Sequence, residues 1–336
     1  MSASIDTESF SRLMRARGVD IATRRVRISR LTGSQQERDL SEPANCEGLG
    51  RIRHFRHATA DGWPSNPLPI EPATRALGLS GAATLEAQVF QNAVCNWRCW
   101  YCYVDFELLS GRQERSALLS ADELVDLYLA EPVRLPMIDL SGGQPDLVPE
   151  WIAWMIEALT RRGVAEQVYL WSDDNLSTDY FFSCLTAEQR RTIESHPLYG
   201  KVCCFKGFDA ESFASNTQAH KEDFQRQFEL MHRLVTETTL DLYAYATFTG
   251  PKTARPDRAM PDFVDGLQEI SVELPLRTIP LKVGIFTPVQ GRRSQAMIDA
   301  AADVQEEAIT AWERELERRF SPEERARSAC DAQLRR

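Results

Sequence analysis

Three cysteines stand inside eight positions of the 336-residue chain: Cys95, Cys99 and Cys102, in the stretch AVCNWRCWYC. Thiolates suit soft metals and iron–sulfur clusters, and a closed tetrahedral zinc site takes four protein ligands. Three thiolates with the fourth position open describe a metal centre that can still bind and react. A structural zinc site is the alternative, and it needs a fourth ligand from elsewhere in the chain. The histidines His54, His57, His196, His220 and His232 have no metal-like spacing. Cys46, Cys184 and Cys330 are isolated. Cys203 and Cys204 are neighbours that would face opposite sides of a strand, where a buried cysteine usually packs as a small hydrophobe.

Other polar groups gather at corresponding points of a repeating pattern. Residues 85–92 read as a strand leading into the cysteine loop. A short apolar run at 137–140 ends at Ser141-Gly142-Gly143, one at 168–171 ends at Ser172-Asp173-Asp174, and one at 201–205 ends at Lys206. Runs at 242–248 and 281–286 supply a fifth and a sixth strand. Between them lie helical stretches: one opens at Ser120 with Glu123 as a capping box, one carries Ile152, Met155, Ile156 and Leu159 at helical spacing and closes at Gly163. Phe224, Phe228, Met231 and Val235 mark another, and Pro261 fits the first turn of a further one. Strands alternating with helices imply a parallel sheet with right-handed crossovers. In such a sheet the loops after the strands meet at one mouth. The cysteine loop, the glycine pair, Ser172-Asp173 and Lys206 would therefore face each other.

Composition narrows the setting. Apolar residues make up 43% and charged residues 26%, ordinary for a globular protein, and the net charge of -10 argues against broad nucleic-acid binding. No apolar run approaches 18 residues, and the first ten residues hold no leader-like apolar stretch, so no membrane is expected. Eight cysteines with three clustered do not resemble a secreted disulfide framework, which points to the reducing cytoplasm. Arg12, Arg15, Arg17, Arg24, Arg25, Arg27 and Arg30 face only Asp20 in their stretch; such a run is usually a solvated helix face, with recruitment of an acidic partner as the alternative. Residues 1–84 read as an irregular N-terminal extension, 85–290 as the core and 291–336 as a helical C-terminal segment, with Val304, Ala308, Trp312, Leu316 and Phe320 as its packing stripe.

C-x3-C-x2-C after a first strand, with Tyr101 just before the last cysteine, resembles the radical S-adenosylmethionine superfamily. Ser141-Gly142-Gly143-Gln144-Pro145 resembles that family's second motif, usually Gly-Gly-Glu-Pro, with Gln144 in place of the glutamate. The resemblance covers roughly residues 88–290 and implies an α/β fold, a partial parallel (β/α)6 TIM-like barrel. It implies that Cys95, Cys99 and Cys102 hold three irons of a 4Fe–4S cluster whose fourth iron binds S-adenosylmethionine. Tyr101, Gly142, Gly143, Gln144, Ser172, Asp173 and Lys206 would contribute to the cosubstrate site. Lys206 resembles the lysine of the Asp-x-Lys stretch in glycyl-radical-enzyme activases, without the preceding acid. An electron from a reductant such as flavodoxin or ferredoxin would cleave S-adenosylmethionine, and the 5′-deoxyadenosyl radical would abstract hydrogen from substrate. Without cysteines for auxiliary clusters, a small-molecule substrate is expected. Activation of a glycyl radical enzyme, hence a protein substrate, is the second reading. A third, of another class, is an iron–sulfur sensor or electron-transfer protein.

Overall fold

The computed structural model describes residues 4–60, 62–79 and 81–334; Met1–Ala3, the start of the stretch searched for a leader, lie outside them. The main sheet has seven strands: β1 (Gly50–Arg56), β2 (Thr84–Gln91), β3 (Met137–Ser141), β4 (Tyr169–Asp174), β5 (Tyr199–Phe205), β6 (Asp241–Ala246) and β7 (Thr278–Pro280). Neighbours in sequence are neighbours in the sheet, from β7 at one edge to β1 at the other. β2 to β7 pair in parallel. β1 runs antiparallel to β2, from Gly50 opposite Phe90 to Arg56 opposite Thr84. The sheet curls into a half-barrel, the form that successive right-handed crossovers wind.

The central strands β3 to β6 are buried on both faces, so their residues alternate between two cores. Tyr169, Trp171, Val202, Cys204, Tyr243 and Tyr245 fill the inner face with Ala87 and Met137. Leu170, Cys203, Phe205, Leu242, Ala244 and Ala246 face the helical layer outside. Cys203 and Cys204 thus point to opposite sides, as two neighbours on a strand must.

The outer helices follow the expected signals. α1 (Thr7–Gly18) precedes the barrel, and α2 (Ala121–Ala130) starts at Ser120, which exchanges hydrogen bonds with Glu123 in a capping box. α3 (Glu150–Arg161) ends before Gly163 at φ +70°. α4 (Asp223–Glu237), α5 (Pro256–Ile270) and α6 (Gln295–Arg319) complete the layer used below. Val304, Ala308 and Trp312 of α6 are buried, with the Trp312 ring 5.3 Å from Phe248 and 6.3 Å from Phe263. The basic stretch near the N-terminus is in part engaged within the fold, while Arg12, Arg17, Arg24 and Arg30 are exposed. Arg15 donates to Glu150 (3.0 Å), Arg24 pairs with Glu157, and Arg25 reaches Glu123 at 3.1 Å. These pairs fasten α1 and the strand Arg25–Ser29 to α2 and α3.

Two elements differ from expectation. The sixth parallel strand is Thr278–Pro280, and 281–286 is irregular. Its neighbour β6 ends at Ala246, whose carbonyl takes a last bond from the Leu281 N–H (2.8 Å), so the ladder has nothing further to pair with. α5 begins at Pro256, which takes the first-turn position. Pro261 therefore lies inside the helix, where it leaves one backbone bond unmade. Among the described residues, no helix is long and apolar enough to cross a membrane.

Candidate functional site

The cysteine loop leaves the end of β2 and is held from several sides. The Trp100 N–H donates to the Asn216 carbonyl and the Arg98 N–H to that of Thr217, both at 3.0 Å. Arg292 closes the other side: its guanidinium donates to the carbonyls of Cys102 (2.6 Å) and Val104 (2.9 Å) and stacks 3.7 Å over Phe106. Trp97 and Trp100 are buried beneath the loop, their ring N–H groups bonded to Thr7 (3.0 Å) and Asn216 (3.1 Å). They support the loop from below and do not line the cavity above it.

The glycine pair is stitched to that loop. The Gln144 N–H donates to the Val94 carbonyl (2.8 Å), and the Asn92 amide donates to the Gln144 carbonyl (3.0 Å). Gly142 and Gly143 have φ of +70° and +61°, a region costly for residues with a side chain. A Cβ on Gly143 would stand 2.5 Å from the Val94 carbonyl oxygen, and one on Gly142 2.7 Å from Gln91 Oε1. Gln144 has both ends of its amide bonded already: Nε2 donates to Asp174 (2.8 Å) and Oε1 accepts from the Asn175 N–H (2.9 Å).

One cavity of about 290 Å³ lies at the C-terminal mouth of the half-barrel. Cys95, Cys99, Tyr101, Cys102, Gly142, Gly143, Gln144, Asp173 and Lys206 all line it. Ser172 does not; it is buried behind the wall, its hydroxyl 2.8 Å from that of Tyr199. Asp173 accepts from the Ser141 hydroxyl at 2.8 Å. Burial pushes the Cys99 thiol up to about 12 against the pull of the Lys206 ammonium, and raises Cys95 and Cys102 as well. Burial works against the Lys206 charge, yet Cys204, Tyr101, Cys99 and Asp173 around it outweigh that and hold its pKa raised. Among the described residues, no group of three His, Cys, Asp or Glu side chains is gathered to hold a single metal ion.

Several residues of this wall escape sequence reasoning. Arg53 comes from β1, Cys204 and Tyr245 from the inner faces of β5 and β6, and Lys282 and Phe286 from the irregular segment after β7. The available signal was the alternation of Arg51, Arg53 and Phe55, which marks one face of a strand.

No family model matches the chain, and no curated protein matches it either. Among solved structures it is similar to SuiB of Streptococcus suis bound to the precursor peptide SuiA, at 12% identity and a TM-score of 0.38 over 55% of this chain and 37% of that one. It is also similar to SuiB bound to S-adenosylmethionine (14%, TM-score 0.43, 68% and 47%). A third likeness is to TYW1 with a lysine–pyruvate adduct bound (11%, TM-score 0.38, 70% and 77%). The chain spans less than half the length of the two SuiB chains.

Proposed function

We propose that this chain is a radical S-adenosylmethionine enzyme acting on a small molecule in the cytoplasm. One observation carries the proposal: nine of the ten residues singled out by spacing and by the family resemblance line a single cavity, although they come from the ends of four separate strands. Cys95, Cys99 and Cys102 would hold a 4Fe–4S cluster. Their chemistry fits, because each thiolate of such a cluster binds its own iron, so three sulfurs must share a wall and need not converge on a point. When bound, the cluster supplies the electron that cleaves S-adenosylmethionine to methionine and a 5′-deoxyadenosyl radical, which takes hydrogen from substrate.

The chain's own groups do the positioning. Gly142 and Gly143 leave the backbone bare where a Cβ would crowd it. Lys206 brings a positive charge to a wall that becomes negative once the thiols ionise. Asp173 offers a carboxylate to a hydroxyl or ammonium, while Tyr101, Tyr245 and Phe286 add aromatic surface to the lining and limit water. Residues 85–290 would carry the chemistry, with the segments before and after them supporting the cysteine loop through Thr7 and Arg292.

The test is anaerobic incubation of reconstituted, dithionite-reduced protein with S-adenosylmethionine, followed by chromatography. Release of 5′-deoxyadenosine is the expected result. Its absence from protein with verified cluster and bound S-adenosylmethionine, across a panel of small-molecule substrates, would overturn the small-molecule reading and leave the activase and sensor readings in its place.

A further inference from the structure

A second cavity, of about 490 Å³, adjoins the first, and the two share Arg53, Tyr103 and Phe286. Its walls come from β1, from residues 36–41 and from Phe286. The chain is acidic overall, yet among the described residues this vestibule is lined by Arg51, Arg53 and Arg56 against the single carboxylate of Asp39. Asp39 is already engaged: it accepts from both the N–H and the hydroxyl of Thr287, each at 2.8 Å. His54, also in the wall, is held between Glu42 (2.7 Å) and Glu86 (3.1 Å).

Arg51 is the unusual member. It is only 7% exposed, and among the described residues no carboxylate lies within ion-pairing reach of it. One of its terminal nitrogens donates to the Tyr103 hydroxyl (3.1 Å), while its Nε is buried with no partner. The buried Asp139 carboxylate acts on Arg51 through space but is bonded to Arg53, so the Arg51 guanidinium is buried with no anion in direct contact, a costly state because desolvation is only partly offset. Arg53 is better provided but not saturated: Nη1 donates to the buried Asp139 at 3.2 Å, and the guanidinium lies 4.2 Å over the Phe55 ring. Both side chains project from the same face of β1 toward the half-barrel. Guanidiniums present a planar fork of donors that matches carboxylate and phosphate oxygens.

We propose that this vestibule anchors an oxyanion, carboxylate or phosphate, carried by the small-molecule substrate, with Arg51 as its chief partner and Arg53 as the second. That the bearer of the oxyanion is a substrate rests on the function proposed above; the anion site itself does not. Tyr103 and Phe286, with rings 6.1 Å apart, form the partition between the two cavities. An anchored group on one side of them would leave the reacting carbon to reach the cysteine cavity on the other. Anchoring at a remote charged group is a common means of fixing a reacting atom.

The experiment is calorimetric titration of the full chain with inorganic phosphate and, separately, succinate, before and after anaerobic iron–sulfur reconstitution. One-to-one saturable binding of at least one probe is expected; the tighter probe identifies the kind of oxyanion. Arg51→Gln should weaken binding at least tenfold, and Arg51→Lys, which keeps the charge and guards against misfolding, should weaken it less. Arg134→Gln, on an exposed arginine outside both cavities, should leave it unchanged. Lack of saturable binding of both probes, or equal affinity in Arg51→Gln and parent, would overturn the anion site. Iron content of the same samples separates the two claims. Iron loading without oxyanion binding removes only the anchor, and oxyanion binding without iron loading removes only the cluster.

Discussion

Lys201 and Lys206 stand near opposite ends of β5, and their surroundings differ in the one respect that matters for a buried charge. Lys201 is fully buried and donates to both oxygens of Asp146, at 2.6 and 2.7 Å, with Asp174 4.0 Å away. Burial opposes its charge, but the Asp146 carboxylate outweighs that and raises its pKa. The charge of Lys201 is satisfied inside the fold. Lys206 is half-buried at the cavity, and among the described residues no carboxylate lies within ion-pairing reach of it. Its surroundings are thiols and a phenol, which become anionic only when they lose a proton, with the Asp173 carboxylate acting on it from beyond ion-pairing distance. Arg53 and Arg51 repeat the contrast on β1, one paired with Asp139 and the other without an ion pair. A completed ion pair holds the scaffold, whereas a cation at a cavity wall without one is ready for an anion from outside.

The contrast breaks most visibly at Lys201. Lys201→Met would leave Asp146 buried beside Asp174 with no cation, and loss of one partner of a buried pair typically costs about 3–5 kcal/mol. Chemical denaturation should show that loss, and the double variant Lys201→Met, Asp146→Leu should recover much of it. A single variant as stable as the parent would mean that the pair is not structural.

Lys206→Met is expected to behave in the opposite way. Removing a cation that lacks an ion pair should change stability by no more than about 0.5 kcal/mol, within the range of an ordinary surface change. Binding of S-adenosylmethionine to the reconstituted protein should weaken about tenfold, equivalent to about 1.4 kcal/mol. If Lys206→Met instead unfolds the protein while binding is intact, the two lysines play the same role and the distinction fails.

How much of this was legible beforehand follows the same line. The parallel strands could be read because each is a short apolar run ending in polar residues, and the cysteine loop, the glycine loop and Asp173 met at one mouth as that pattern requires, although Ser172-Asp173-Asp174, read as a loop, belongs to β4 itself. Strand β7 could not be placed at its true position, because the end of a ladder depends on where the neighbour stops, here Ala246, and not on the apolar run at 281–286. β1 was missed because GRIRHFR looks like charged surface when the partner that buries its alternate residues is unknown. Gln144 shows a further limit. Its motif position suggests a contact with a ligand, yet its amide is bonded to Asp174 and Asn175. That also explains why glutamate is unsuited here: a carboxylate in its place would face the acceptor oxygen of Asp174. Ser172 shares the strand end with Asp173, but strand alternation turns it away from the cavity.

The central claim is that the three clustered thiols, and not the other buried ones, hold the iron. The most direct measurement is iron and sulfide content with the visible absorption spectrum after anaerobic reconstitution, comparing the parent with Cys99→Ala and Cys46→Ala. Cys46 is a suitable control, because it is buried in the outer core away from the cavity. The account predicts about four irons per chain in the parent and in Cys46→Ala, in keeping with a 4Fe–4S cluster, and a loss of most iron and colour in Cys99→Ala. Equal iron content in Cys99→Ala and the parent would contradict it.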